Sequence, residues 1–486
     1  MKSALVWFKR DLRLHDHAPL MKACETGLPL ILLYLFEPSL MAHGTWDKRH
    51  ERFIWESLID MQTRLAEKGH RIIVLHMEAD EAFELICTHT EIEAVYSHEE
   101  IGNGLTFLRD KRMKKWFQAR GIQWIESPTN GVIRALKDRD GWNQRWMKTM
   151  THPLFHVPFE KALPLSETVY QRLNPSPWPE KKKHLFQPGG ESTAFKYFES
   201  FLNERHRTYA SHISKPTESR TACSRLSPYL AWGNLSIKQV FQLTTVASHH
   251  GGHKKHLEFF LSRIHWHCHF IQKFESEERI EFENLNTGFN TIRTERKEEW
   301  IEAWKTGTTG IPLIDACMRC VKETGYLNFR MRSLLVSFLT HHLWQPWQSG
   351  THHLARYFLD YEPGIHYPQF QMQAGTMGVN TLRIYNPTKQ ARDHDPDGLF
   401  IKKWVPELAQ HPKEFIHEPW LMTGIDHSFY GTKKDAYPTP IVDIEERAAH
   451  ARLHLWTTKR SDAVKSEVPA ILKKHTHRKS DQELPF

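Results

Sequence analysis

The sequence predicts an α/β protein in two parts: a doubly wound parallel sheet over residues 1–128, then a mostly α-helical domain over 196–475. A connection over 129–195 joins them and a charged tail over 476–486 follows. Three observations carry this. Short apolar runs alternate with amphipathic ones up to about residue 128, and strands that alternate with helices pair in parallel through crossovers. Clusters of Pro and charge then break the pattern. Beyond residue 196 the two-residue period vanishes and helical periods run to about residue 460.

Residues 4–8 (ALVWF), 29–36 (PLILLYLF), 71–76 (RIIVLH), 93–97 (EAVYS) and 122–126 (IQWIE) read as the strands, being apolar, β-branched and aromatic runs between polar turns. The helix after the second strand is clearest over 47–69, where Phe53, Leu58, Met61 and Leu65 keep the helical period and Gly69 supplies a stop. No Gly-x-Gly-x-x-Gly follows the first strand, so the dinucleotide fingerprint of such sheets is missing. The run LNPSPWPEKKKHLFQPGGES marks a long surface connection. Trp142 and Trp146 in WNQRW read there as loop anchors or as a contact site.

A formal charge of +8 suits a polyanionic partner, because phosphate contacts release counterions, or it serves solubility alone. Six Cys in 486 residues give no disulfide framework and point to a reducing compartment. The Cys317-x-x-Cys320 pair lacks further metal ligands. His265, His267 and His269 would share a face on a strand and diverge on a helix, so no metal is expected. The opening Met1-Lys2-Ser3 runs straight into the first strand with no leader, and no apolar run nears the roughly 20 residues a spanning helix needs. A cytoplasmic monomer is expected.

The chemistry concentrates between Thr306 and Leu408. Residues 324–347 (TGYLNFRMRSLLVSFLTHHLWQPW) read as a helix entered after Gly325, with Asn328, Arg332, Leu335 and Leu339 on one stripe. Arg330 lies two positions from Arg332, roughly 200° around, so only one of them can serve an interior pocket. An interior Arg needs a carboxylate, and Asp360 and Glu362 stand just before Pro363-Gly364; Arg332 is therefore paired with Asp360. Upstream, Tyr209 and the segment Cys223–Ser227 precede an apolar helix. Hydroxyls and free amides there form a phosphate cradle or a plain helix cap.

The opening ALVWFKRDLRLHD, then CSRLSPYLAWGNLS, GIPLIDACMRCVKETGYLNFRMR, LDYE, LRIYNPTKQ and HDPDGLFIKKWVPEL, resemble the photolyase and cryptochrome family in order over nearly the whole length. The resemblance implies FAD in the helical domain, with Tyr209, Ser224, Arg225, Leu226 and Ser227 at its diphosphate. It places Asn328, Arg332, Asp360, Glu362, His366 and Tyr367 around the ring, with Arg332, Asp360 and Tyr367 catalytic. A second, antenna chromophore in the first domain is an option. The missing late Cys argue against the iron–sulfur branch. Cys223 stands where Thr is usual, and Glu362 where Asp is.

Several positions depart from the family pattern. Asn, Asp or Cys commonly faces the flavin N5, and the motif register puts Tyr367 there with His366 beside it. Of the usual three-Trp electron relay, Trp347 matches the middle member, while Met372 and Thr294 fill the other two places; Tyr361, Tyr367 or Trp344 would offer a detour. In the lesion pocket, Tyr326 replaces a Trp and Phe329 an Asn, and Trp266 in SRIHWHCHF offers a further ring for stacking a flipped base. The paired histidines of (6-4) photolyases are replaced by Asn328 and Phe329. Arg330, Lys389 and Arg392, with Lys402 and Lys403, are expected to grip phosphates. The implied function is light-driven repair of pyrimidine dimers in damaged DNA by an FAD-dependent lyase, or a cryptochrome-like blue-light receptor.

Overall fold

The computed structural model describes residues 2–180, 184–250 and 252–476. Five parallel strands, β1 (Lys2–Phe8), β2 (Leu30–Leu35), β3 (Ile72–Leu75), β4 (Glu91–His98) and β5 (Gln123–Ser127), form a sheet in the order β3-β2-β1-β4-β5. Winding runs outward in both directions from β1. The crevice of such a sheet therefore opens beyond the carboxyl ends of β1 and β4.

Strand β2 is apolar throughout and β1 from Ala4 on, because both faces are covered. Leu5 and Trp7 pack into one layer, while Ala4, Val6 and Phe8 join a core that continues into Leu226, Tyr229, Trp232 and Ile264 of the helical part. One face of the sheet thus rests on the second domain. Helix α1 (Lys48–Ala66) starts where Asp47 accepts a hydrogen bond from Arg49 N and buries Phe53, Leu58, Met61 and Leu65.

The connection departs from expectation. Residues 142–146 are not a loop but the start of helix α2 (Trp142–Thr151), entered through Gly141 at φ 67°. Trp142, Trp146 and Met150 recur every fourth residue and are fully buried, so this face belongs to the main core. Five helices of the second domain frame its sites: α3 (Lys254–Ser276), α4 (Pro312–Thr324), α5 (Phe329–Ser337), α6 (Pro363–Ala374) and α7 (Asp462–His475). Helix α4 stops at Gly325, φ 69°, and α5 continues into a π-helical turn at Phe338–His342. Helices α3 and α6 approach closely, since a Cβ on Gly364 would lie 2.9 Å from Ile271 Cα. No helix among the described residues is long and apolar enough to cross a membrane. Apart from Thr476, the tail expected over 476–486 lies outside the described residues.

Trp146→Ala should cost about 3–5 kcal/mol in a denaturant titration, as a large core truncation does. A loop anchor would cost under about 1 kcal/mol.

Candidate cofactor and substrate site

A cavity bounded by α5, α6 and residues 358–362 encloses about 610 Å³ of atom-free space, part of it open to solvent. Its wall carries the predicted ion pair. Arg332 Nη1 and Nη2 donate to Asp360 Oδ1 and Oδ2 at 2.9 and 2.8 Å, and Nε donates to the Leu327 carbonyl at 2.6 Å. The guanidinium also lies 4.0 Å from the Phe358 ring. All three edges of the fork are fixed. Arg330 points elsewhere, over Tyr385, as the helical phase requires.

His366 lines the same cavity. Its Nε2–H donates to the Thr351 carbonyl at 2.9 Å, leaving Nδ1 as an acceptor, and burial pushes the imidazole down to about 3. It is a neutral ring. Tyr367 does not line this cavity, contrary to the expected register. One residue is about 100° of helix, and that step turns Tyr367 toward α3. There it stacks on Phe274, accepts from the Tyr361 hydroxyl at 3.4 Å and donates to Glu281 at 3.4 Å.

Glu362 caps α6 through Gly364 N and faces Arg10 at 3.8 Å, with burial raising its carboxyl. Arg10 comes from the end of β1. It donates from Nε to the Ala231 carbonyl at 3.0 Å, bonds the Tyr361 carbonyl and stacks on Trp232 at 4.5 Å. No local pattern around Arg10 foretells this reach.

The expected phosphate cradle has a left-handed residue at its centre. Arg225 has φ 61° and Leu226 φ −86°, a left-then-right pair that turns successive amides toward one point and suits an anion. The Leu226 amide finds only the Ser224 hydroxyl, at 3.4 Å. Arg205, Arg220 and Arg225 gather here, with carbonyls, the Gln187 amide oxygen, the Thr324 hydroxyl and Cys320 Sγ as partners, all neutral. Burial lowers Arg205 and Arg225, and Arg225 Nε is buried with no partner. Such a cluster calls for a polyanion. Tyr326 sits 3.7 Å from the Arg225 guanidinium and also feels Arg332, so the cradle adjoins the cavity. Tyr209 packs beside Phe201, Phe259 and Phe260, and Asn328 donates to the Ile213 carbonyl at 3.0 Å while its Oδ1 has no partner.

Phe329 stands at the cavity mouth, 49% exposed, and Trp266 lies on the outer face of α3, 46% exposed and packed on Phe270. Lys389 and Arg392 do not reach the cavity. They line a separate groove and are paired with Asp393 and Glu418. Trp347 is buried with Nε1 donating to Asn284 at 2.8 Å, and Met372 is half-buried in the same core; neither lines the cavity. Phe370, which sequence reasoning passed over, does.

A second cavity, with about 690 Å³ of atom-free space that includes open solvent, lies where the sheet crevice meets the helical domain, bounded by Phe8, Arg10, Tyr34, Glu37, Trp46 and Tyr361. Glu37 Oε2 is buried there without a partner, although its other oxygen takes Arg109 at 2.5 Å. Nearby, Asp11, His17 and His98 converge. Leu20 N donates to His17 Nδ1 at 3.1 Å, so the proton sits on Nε2, facing Asp11 at 2.9 Å, and that nitrogen has no lone pair for a cation. His265, on helical α3, goes to Asn143 at 3.0 Å and packs on Trp142 and Trp146.

An apolar cavity with a guanidinium–carboxylate fork, adjoining a carboxylate-free arginine cluster over an amide nest, defines a binder of a dinucleotide with a flat fused ring. Two family models match the chain: DNA photolyase over residues 4–147 and the FAD binding domain of DNA photolyase over 260–457. A cryptochrome DASH of Gloeobacter violaceus is 26% identical, covering 92% of this chain and 94% of the relative. A deoxyribodipyrimidine photo-lyase of Alkalihalophilus pseudofirmus is also 26% identical, over 90% and 94%. The solved archaeal photolyase of Sulfolobus tokodaii, described with two FAD molecules as implying a novel light-harvesting cofactor, superposes with a TM-score of 0.76 at 25% identity, covering 94% of this chain and 100% of that one. The chain belongs to the photolyase and cryptochrome family, and its helical part is that family's FAD-binding domain. The orphaned Arg225 Nε, the three guanidiniums without a carboxylate and the fixed Arg332 fork fit FAD.

Asp360→Asn leaves the Arg332 fork half satisfied, and Arg332→Ala strands the carboxylate. Both should lower flavin per chain after purification at least several-fold, read from visible absorbance; unchanged loading would separate the pair from the cofactor. His366, His98 and His50 are held at about 3, 3 and 4 by burial, below their unfolded value near 6.5. Below pH 6.5 the unfolded chain binds more protons, so their contribution is complete above that pH and is lost as pH falls toward 3. Urea midpoints should drop between pH 7 and pH 5, less steeply in His366→Asn.

Proposed function

We propose that this protein repairs pyrimidine dimers in DNA under light, as a carbon–carbon lyase. The Arg332–Asp360 fork on the wall of a cavity with an aromatic mouth carries this reading. FAD held in this cavity would supply light-driven one-electron chemistry for splitting a dimer. Arg332 places a fixed cation beside the ring and favours negative charge there, and Asp360 keeps that cation from swinging away. His366 would offer Nδ1 as an acceptor to a donor group in the cavity, and Phe358 and Phe370 exclude water. Phe329 supplies a face for a flipped base, and stacking contributes about 1–3 kcal/mol per base. A dimer is already poorly stacked, so its extrusion costs less than that of an intact base.

The interdomain cavity, with aromatic walls and the free Glu37 oxygen, takes the second chromophore in this reading. Relatives named photo-lyase and cryptochrome DASH support the two neighbouring functions alike. A receptor with little repair activity is the second reading. The neutralised Lys389 and Arg392 favour it, because they subtract two cations from the phosphate-gripping set.

Pre-reduced protein illuminated in the blue with ultraviolet-damaged oligonucleotides should restore thymine absorbance at about 260 nm, and Arg332→Ala should slow this at least tenfold. Reversible flavin photoreduction without any restoration, for cyclobutane and 6-4 lesions alike, would hand the function to the receptor.

A further inference from the structure

Another cationic cluster lies outside both cavities, at the C-terminal end of α3. His269, Lys273 and Glu277 follow at four-residue spacing and so share one face of this helix and its cap. Basic groups line that face. Arg139 donates from Nη2 to the His269 carbonyl at 3.1 Å, Lys273 comes one turn later, and His475, the last residue of α7, lies 3.8 Å from Glu277. All three are interior, with exposures of 0%, 5% and 1%.

Several of their nitrogens lack a hydrogen-bond partner. Arg139 Nε and Nη1 and both ring nitrogens of His475 are buried without a hydrogen-bond partner. Burial and the Arg139 charge push Lys273 down to about 8, and no carboxylate opposes them. The nearby acids are shared: Glu277 faces His475 but also takes Lys474 at 2.7 Å and Arg279 at 2.8 Å, and Glu275 accepts Ala135 N at 2.7 Å. The terminal carbonyls of α3 offset about half a charge. Lys273 and His475 can shed protons, but Arg139 cannot; Glu275 acts on it through its charge without a hydrogen bond, and an interior guanidinium so weakly compensated is unfavourable.

We propose that a small inorganic anion, chloride or an oxyanion of phosphate size, occupies this site and bridges Arg139, Lys273 and His475. The ion ties α7 to the end of α3, the helix that packs against α6 of the flavin cavity. This site is independent of the repair reading.

The test is thermal unfolding of the full-length flavoprotein at pH 7 and constant ionic strength, as gluconate is exchanged for chloride and then for phosphate. The melting temperature should rise saturably by about 2 °C or more with at least one of the small anions. Lys273→Met and Arg139→Gln should each abolish the response while leaving flavin content unchanged. A bromide-soaked crystal should show an anomalous peak within about 3.5 Å of Arg139. Identical melting in every anion together with an empty bromide map overturns the proposal, as does a response that survives in Lys273→Met. Residues 477–486 carry Asp481 and Glu483. If only a chain ended at Thr476 responds to anions, tail carboxylates fill the site and the free ion is overturned.

Discussion

Everything at the cofactor site depends on how residues 360–362 are held. Arg332 grips the Asp360 side chain from α5, and Arg10 reaches across from the sheet to the Tyr361 carbonyl and the Glu362 carboxylate. Glu362 in turn caps α6, which carries His366 and Phe370. Tyr361 borders both the cavity at the Arg332–Asp360 pair and the interdomain cavity. One short loop therefore sets the spacing between the two chambers. Two guanidiniums from different domains fix it, and neither could be replaced by Lys without losing the fork.

Charge is distributed unexpectedly for a protein of formal charge +8. Part of the basic excess is interior: Arg225 and Arg139 have no direct carboxylate partner, while the outward Lys389 and Arg392 are paired. Net charge alone thus overstates how much positive surface remains for a polyanion. Interior guanidiniums mark places where an anionic group completes the structure, because their charge cannot be removed by deprotonation. At the Arg225 nest the diphosphate of FAD would be such a group. The strained backbone there, left-handed at a non-glycine residue, is of the kind that clusters at ligand sites.

Much of this architecture is readable from residue order. The strands, helix α1 and the Arg332–Asp360 pair follow from apolar period, helical phase and the rule that an interior Arg needs a carboxylate. Helix α2 escapes such a reading because a charged run ending in Gly141 precedes it and Pro153 follows it, although the Trp142, Trp146 and Met150 spacing is helical. Tyr367 falls one residue out of phase, since motif register counts residues and a cavity selects directions. Arg205 and Arg220 give no signal. Their significance lies in the carboxylates that are not beside them.

The sequence by itself determined the two-part architecture and which Arg of the α5 pair turns inward, because periodicity and short-range sterics are local properties of the chain, while its ordered motifs carried the resemblance to the flavin family. Only the tertiary structure decided that His366 rather than Tyr367 lines the cavity, that Arg10 clasps a loop some 350 residues away, and that Lys389 and Arg392 are spent on neighbouring acids. Those outcomes depend on which distant groups share a small volume, and charge pairing and burial are settled there by distance through space, which residue order does not encode.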